Sequence, residues 1–205
     1  MKKRLKLSVI FFLFFITTNV LLSKEKIKKD AFLTSIVPDY TRLQFAGQVG
    51  VLSLGLGYNH FEEQLKLEFF YGYLPRMHGY SDIHTLGIKS SLLFWKIPIR
   101  NFMFDEISPI FSVSVNLTVG DGRKTFWRVP SYFPDGYYSP NVIRFCPAIG
   151  VNFRKKIKPY TFVKEFDFYV EMVTNNVYFA YFVKNHEVDL NEIFSLTLGL
   201  RLKLW

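Results

Sequence analysis

Apolar and polar positions alternate through the last twelve residues of the chain. Every even-numbered position from Phe194 to Leu204 is apolar, and every odd-numbered position from Ser195 to Lys203 is polar or glycine. Successive side chains of a β-strand point to opposite faces. The pattern therefore predicts a strand with one apolar wall and one polar, cationic wall, followed by the aromatic Trp205.

The same alternation recurs between turn signals after residue 39. It predicts about eight strands, close to the roughly 9–11 residues that a tilted membrane strand needs. The predicted strands are 40–46, 52–59, 65–73, 85–94, 111–119, 143–153, 166–172 and 194–205. Turns or loops are predicted at 47–50, 61–64, 75–82, 96–108, 120–140, 155–159 and 175–191. The predicted fold class is all-β, an antiparallel up-and-down transmembrane β-barrel of about eight strands.

Alternation alone leaves open a soluble lipocalin-like barrel or sandwich, which would place the apolar face inside. Three features favour the membrane. The polar face is rich in Gly and Ser and has few of the long charged side chains that a watery exterior carries. The apolar face is wide, and aromatic residues make up 19% of the chain, as interfacial girdles require. The chain also ends within its last predicted strand.

The first residues have the layout of a secretory signal peptide, with a basic segment 1–6 and an apolar segment 7–22. An uncleaved anchor is the alternative, because Leu21 is not the small residue preferred before a cleavage site. We expect a signal peptide at 1–23, a lead-in at 24–39 and the barrel at 40–205. Loss of residues 1–23 would lower the formal charge from +9 to +5. That charge suits anionic lipid head groups and falls short of a nucleic-acid-binding protein.

The closing strand resembles the C-terminal sorting signal of small outer-membrane β-barrels of Gram-negative bacteria. Gly199, Leu202 and Leu204 fit its spacing, although Leu204 replaces the usual Phe and Trp205 adds one residue. The resemblance implies an outer-membrane location with both termini in the periplasm. It also implies insertion by the barrel-assembly machinery and contact with outer-membrane lipids and lipopolysaccharide. We expect a monomer.

The predicted lumen face carries charges of both signs. An eight-stranded barrel has room inside only for side chains or one small ligand, and an unpaired buried charge costs several kcal/mol. We therefore predict an internal salt-bridge network, with a proton or ion path as the alternative. Its predicted members are Lys66, Glu68, Lys89, Arg144, Asp167, Glu171, Arg201 and Lys203.

Candidate catalytic residues are confined to the segment 77–84, which contains His78, Ser81, Asp82 and His84. A Ser nucleophile with a His base at the outer rim could attack an ester of lipopolysaccharide or phospholipid. Lipid A deacylase and palmitoyltransferase barrels have this size, but their motifs do not match residue by residue. Ser, His and Asp also collect in ordinary polar turns.

Cations and aromatic residues are mixed in the long loop 120–140. Such a surface can bind anionic sugars, lipopolysaccharide phosphates or a protein partner, and an aromatic girdle is the alternative interpretation. The residues concerned are Arg123, Lys124, Trp127, Arg128, Tyr137 and Tyr138.

Metal chemistry is not expected, because the single Cys146 has no second cysteine and the sequence has no Cys/His cluster. No cofactor and no nucleic-acid partner are expected either. The function we expect is a structural or surface-binding role in the cell envelope, without catalysis. The alternatives are a lipid-modifying barrel enzyme centred on residues 78–84 and a periplasmic lipid-binding barrel with its apolar face inward.

Overall fold

Residues 39–203 form a closed antiparallel β-barrel in the computed structural model of this chain. The structure describes residues 37–76, 82–99, 103–120, 126–129, 131, 140–157, 163–184 and 189–203. Of the residues before the barrel, Val37 and Pro38 are described, and they fall in a unit separate from it. The predicted signal peptide therefore lies outside the described residues.

The described part of the chain contains nine strands and three short helical segments. The strands are β1 (Tyr40–Ala46), β2 (Leu52–His60), β3 (Leu65–Leu74), β4 (Ile83–Leu93), β5 (Ile97–Pro98), β6 (Glu106–Val119), β7 (Ile143–Lys156), β8 (Glu165–Val173) and β9 (Ser195–Lys203). The helical segments are the 3₁₀ turn η1 (Gly47–Val49) and the α-helices α1 (Asn176–Lys184) and α2 (Leu190–Ile193).

Strand β1 closes the barrel, because it pairs with both β2 and β9. Strand β4 pairs directly with β6, so the two-residue β5 lies beside the closed wall and pairs with the start of β6. The eight long strands of the described chain therefore form a closed up-and-down barrel, which confirms the predicted all-β antiparallel barrel of about eight strands.

The two ends of the barrel differ in the chain segments that they carry. Tyr40 and Lys203 lie at one end, together with the connections β2–β3, β4–β6 and β7–β8. We call it the terminal end. The opposite end carries η1, α1 and α2, and we call it the loop end.

The two faces of the wall have opposite polarity, with the polar face inside. Lys89 is 5% exposed, whereas the preceding Ile88 is 47% exposed. The same alternation of buried polar and exposed apolar positions runs along the other long strands. The exposed apolar positions include Leu43, Leu54, Phe69, Leu86, Ile88, Val115, Phe145, Ile149 and Leu198. This burial is the reverse of a soluble barrel, in which the apolar face is inside.

Inward glycines make room for buried aromatic rings. A Cβ at Gly199 would lie 2.0 Å from Cζ of Tyr169, and a Cβ at Gly57 would lie 2.1 Å from Cζ of Tyr40. Both rings are buried. Each glycine therefore allows a large side chain of a neighbouring strand to lie flat against the inner wall.

Among the described residues, four predicted connections contain regular structure, namely 47–50 with η1, 96–108 with β5 and the start of β6, 155–159 with the end of β7, and 175–191 with α1 and the start of α2. Strand β6 begins at Glu106, inside the segment predicted as a loop to residue 108, and α1 occupies the segment predicted as a loop from 175. The early part of β6 is not predicted because Pro109 is an unfavourable strand residue and because Ile110 is an apolar residue on the buried, otherwise polar face. Pro109 nevertheless lies opposite Val151 in the ladder. Helix α1 is not predicted by the hydrophobic pattern, because its seven consecutive apolar residues, 177–183, include no polar positions that would show a helical period.

The turn between β2 and β3 has an unusual backbone. Phe61, Glu62 and Glu63 have φ angles of 49°, 54° and 69°, the left-handed region that L-residues rarely adopt. Each such residue costs on the order of 1 kcal/mol or more. The turn is held by a hydrogen bond from the Gln64 N–H to the carbonyl of Phe61, 3.0 Å, and by the side chain of Glu63 described below.

Asparagine at position 62 is expected to relieve part of this strain, because asparagine tolerates the left-handed region better than glutamate. Glu62→Asn should raise the free energy of unfolding of the refolded barrel by about 0.5 kcal/mol in urea titrations. Gln64→Asn is the matched control, because Gln64 is exposed and is not among the positive-φ residues. Equal changes in the two variants would contradict the strain interpretation.

Candidate functional site: the charged interior of the barrel

Polar and charged side chains from all eight long strands and the β2–β3 turn fill the interior. The charged ones, which we call the interior network, are Arg42, Glu63, Lys66, Glu68, Lys89, Arg154, Glu165, Asp167, Glu171, Arg201 and Lys203. Every member has an opposite charge within 3.3 Å. Such pairing is what allows charges to be buried, because removing one partner leaves a costly unpaired ion.

Glu68 of β3 lies at the centre of the interior network. Its Oε2 accepts a hydrogen bond from Nη1 of Arg42 at 2.9 Å, and its Oε1 accepts one from Nε of Arg201 at 2.6 Å. The hydroxyl of Tyr40 donates to the same Oε1 at 3.1 Å. Glu68 is fully buried, and the two arginines are buried with it. One carboxylate thus joins β1, β3 and β9 across the line where the barrel closes.

Tyr169 of β8 lies beside this centre. Its ring is covered by the guanidinium of Arg201, 4.1 Å from the ring centroid, and by Nζ of Lys89 at 4.7 Å. The Tyr169 hydroxyl donates to Oε1 of Gln44 at 2.9 Å. Lys89 in turn contacts Glu171, with Nζ and Oε2 2.5 Å apart. The aromatic ring therefore contacts two cations, and its hydroxyl ties it to β1 through Gln44.

A second group of charges lies towards the terminal end. Asp167 accepts from Nε of Arg154 at 2.9 Å and contacts Nζ of Lys66 at 3.3 Å. Nη1 of Arg154 also donates to Glu63, 2.7 Å away, and Lys203 donates to the other oxygen of Glu63. Glu63 therefore extends from the strained turn and ties β7 and β9 together at the mouth of the barrel.

Two cavities lie among the described interior side chains, and both are small. One cavity of about 20 Å³ lies among Arg42, Gln44, Lys89, Glu171 and Thr197. Another of about 10 Å³ is lined by residues of the terminal-end group. Each has room for about one water molecule. Neither could hold the acyl chain that a periplasmic lipid-binding barrel would carry. The larger cavity is also lined by apolar side chains such as Phe70 and Val173, and the smaller one is lined mainly by polar and charged side chains.

Of the lumen residues predicted from sequence, seven lie in the interior network, and Arg144 does not. Arg144 is half-buried towards the loop end, and its Nε donates to the carbonyl of Asn141 at 3.3 Å. The reason is the length of β7, which carries Arg144 well away from the central carboxylates.

Several central residues lie outside the predicted set of lumen residues. Arg42 and Arg154 continue the inward phase of β1 and β7. The prediction gives β1 no inward face, and the predicted strand 143–153 ends one residue before Arg154. Glu63 carried no signal, because it belongs to a turn and reaches the interior only through the left-handed backbone around it. Glu165 lies one residue before the predicted start of its strand.

The candidate catalytic segment is described only in part, since His78 and Ser81 lie outside the described residues. Nδ1 of the exposed His84 lies 2.6 Å from the hydroxyl of Tyr71, and its ring stacks on that tyrosine. Oδ1 of Asp82 accepts from the hydroxyl of Tyr73 at 2.7 Å. His84 and Asp82 thus each contact a tyrosine of β3 at the loop end.

The candidate binding loop is also described in part, since Arg123, Lys124, Tyr137 and Tyr138 lie outside the described residues. Trp127 and Arg128 are exposed. The base of the loop is closed where the Phe126 N–H donates to Oδ1 of Asn141 at 2.9 Å. In the predicted sorting signal, Gly199 and Leu202 belong to β9, and Leu204 and Trp205 are not described.

Glu63 makes a testable contribution to stability. Burial disfavours its charged form, but the hydrogen bond from Lys203 and the charge of Arg154 outweigh burial and lower the pKa of Glu63 below its ordinary 4.5. A group with a lowered folded-state pKa stabilises the fold above the ordinary value, and this stabilisation is lost as the pH falls through the lowered pKa.

Glu63→Gln should therefore lower the free energy of unfolding at pH 7 by about 1 kcal/mol. The difference from the parent should shrink as the pH falls below 4.5. Urea unfolding of both proteins between pH 3 and pH 7 measures it, with the exposed neighbour Glu62→Gln as control. A difference that does not change with pH would show that Glu63 acts without its charge.

The described residues offer neither a metal site nor a membrane-crossing helix. No group of three or more His, Cys, Asp or Glu side chains there is arranged to hold a metal ion. Neither α1 nor α2 reaches the length of an apolar membrane-crossing helix. The chain matches no protein-family model, no curated protein and no solved structure.

Proposed function

We propose that this chain is a small outer-membrane β-barrel with a structural or surface-binding role in the cell envelope, closed to solutes and without catalysis. The observation that carries the proposal is the reversed polarity of its wall. Charged side chains are buried inside, and large apolar side chains are exposed outside on every side of the barrel. Monomeric soluble proteins rarely expose an apolar band of this extent, whereas a lipid-facing wall requires it.

Aromatic residues near both ends of the outer wall support the proposal. At the terminal end, Phe104 packs against Phe153 and Phe166, with ring centroids 5.2 and 6.3 Å apart. At the loop end, Tyr71 and Tyr73 pack around His84. Aromatic girdles at the two membrane–water interfaces are typical of outer-membrane barrels.

The filled interior favours a structural or binding role over transport. The interior network joins the strands by ion pairs across the lumen, and the cavities described above hold about one water molecule each. A solute path would need several of these pairs to separate together. We therefore place any binding at the loop end, where exposed Trp127 and Arg128 lie, and expect unchanged lipid A in a deletion strain.

An arginine in the middle of the outer wall tests the membrane location. Ile88→Arg should destabilise the barrel refolded in phosphatidylcholine vesicles by about 2–4 kcal/mol, because its charge would lie near the bilayer midplane. A soluble barrel would tolerate the same substitution at this exposed site within about 0.5 kcal/mol. Ile97→Arg is the matched control, since Ile97 is 52% exposed but lies in β5 at the terminal end.

Cell fractionation completes the test. The proposal predicts recovery in the outer-membrane fraction and slower migration after boiling than before, as a folded membrane barrel shows. Equal changes in the free energy of unfolding for Ile88→Arg and Ile97→Arg, together with recovery in the soluble periplasmic fraction, would contradict the proposal.

A further inference from the structure

Strand β7 extends beyond its neighbour β8 at the loop end. The last pair between the two strands joins Ala148 to Val173. Beyond it, the Thr174 N–H donates to the carbonyl of Pro147 at 3.1 Å, and the Phe145 N–H donates to Oδ1 of Asn176 at 3.1 Å. Helix α1 therefore begins where β8 stops and takes its place along the edge of β7.

The start of α1 is held firmly in this position. Oδ1 of Asn175 accepts hydrogen bonds from the backbone N–H groups of Val177 and Tyr178, both at 2.9 Å, as an N-cap does. Nδ2 of the same side chain donates to Oε1 of Gln48 at 2.7 Å. Asn175 thus joins the helix to η1, so the direction in which α1 leaves the wall is determined by the barrel.

The helix has an apolar surface that the protein does not cover. Its residues 177–183 are all apolar or aromatic. Tyr178, Phe179 and Val183 are 41%, 56% and 59% exposed. A helix that is apolar all round is normally buried in a core or in lipid, and a nine-residue helix is marginal in water without such burial.

The exposed surface of α1 continues the outer wall of the barrel. Ile143 and Phe145, on the edge of β7 where α1 is attached, are 52% and 50% exposed. They belong to the same apolar band as Ile149 further along β7. Any partner that covers this band of apolar side chains, such as lipid, therefore also contacts α1.

We propose that α1 lies in the interfacial zone of the bilayer leaflet at the loop end, with Tyr178, Phe179 and Val183 against lipid. This inference rests on the proposed function. It names lipid as the partner of this part of the loop end and makes α1 an anchor of the rim. Aromatic and apolar side chains on one helix surface suit this zone.

Tryptophan fluorescence in vesicles tests the proposal. Native Trp95, Trp127 and Trp205 are replaced by Phe, and one tryptophan is introduced as Phe179→Trp, with Val183→Trp as a second variant on the same surface. Leu198→Trp in the middle of the outer wall and Phe61→Trp in the β2–β3 turn are the references; Phe61 is 77% exposed. The tryptophan fluorescence of each refolded protein is measured with two quenchers, acyl-chain-brominated phosphatidylcholine in the bilayer and acrylamide in the water.

We expect brominated lipid to quench Phe179→Trp and Val183→Trp at least twofold more strongly than it quenches Phe61→Trp. Acrylamide should show the reverse order. Quenching of both α1 variants by acrylamide alone, with Leu198→Trp still quenched by lipid, would overturn the inference and leave the membrane barrel standing. Loss of lipid quenching at Leu198→Trp as well would overturn both proposals.

Discussion

Replacing Glu68 with alanine is expected to destabilise the folded barrel by about 3–5 kcal/mol. The reason is that Arg42 and Arg201, both buried, would lose the carboxylate that they share. Urea unfolding of the refolded protein measures the loss, and a reduced fraction of heat-modifiable protein should accompany it. Glu106→Ala is the control and should cost no more than about 1 kcal/mol, because Glu106 pairs with the exposed Lys156 at 2.9 Å. It also lies 3.9 Å from Arg154, but Arg154 keeps its closer partners Glu63 and Asp167 in this variant.

Methionine variants distinguish the loss of the ion pair from the effect of a cavity on the free energy of unfolding. Glu68→Met should be the more costly single change, because it leaves Arg42 and Arg201 without their shared carboxylate, whereas Glu68 keeps Arg201 as a partner in Arg42→Met. The double variant should cost clearly less than the sum of the two, since it removes both members of the pair. Additive costs would show that the ion pair itself contributes little and that packing explains the result.

Replacing Gly199 with alanine is the second substitution with a large expected effect. The added methyl group would lie 2.0 Å from Cζ and 2.3 Å from the hydroxyl of Tyr169. That ring cannot easily move, because it is fully buried and its hydroxyl donates to Gln44. We expect a loss of about 1–3 kcal/mol or more. The measurement uses refolded protein, so any role of Gly199 in sorting does not contribute.

Two comparisons show whether the contact with the Tyr169 ring causes the loss of stability in Gly199→Ala. Gly120→Ala should cost less than about 1 kcal/mol, because its nearest neighbour would be Cγ1 of Ile83 at 3.2 Å, a contact that a small shift of that side chain relieves. In a Tyr169→Leu background, Gly199→Ala should cost less than in the parent, because the smaller side chain leaves room. The same cost in both backgrounds would rule out the contact with Tyr169 as the cause.

The strands were largely predictable because a half-buried strand repeats every two residues. Strands β2, β3 and β9 begin and end within a few residues of the predicted bounds, and Gly47 and Gly50 have the positive φ angles of a tight turn. The helix α1 was not predictable from periodicity, because a segment without polar residues has none. It forms where β7 extends beyond the last residue paired with β8. That position is set by the pairing of the two strands and not by the sequence of the helical segment.

The interior network was predictable in kind but not in its partners. Alternation placed Glu68 and Arg201 on the same face of the wall, yet their contact spans 133 positions of the chain. Which cation meets which carboxylate depends on strand register and on barrel closure. Arg144 shows the consequence, since it shares the inward phase of β7 but lies too far along the strand to join the network.

The sequence by itself determined the strand count, the two opposite walls and the presence of charges on the polar one, because these depend on local alternation. Only the tertiary structure decided that the polar wall faces inward, since alternation is the same for either direction of curvature. It also decided that Glu63 pairs with Arg154 and Lys203 at the terminal end and that α1 begins beside the edge of β7 at the loop end. Those features depend on contacts between segments far apart in the chain, which exist only once β1 and β9 have closed the barrel.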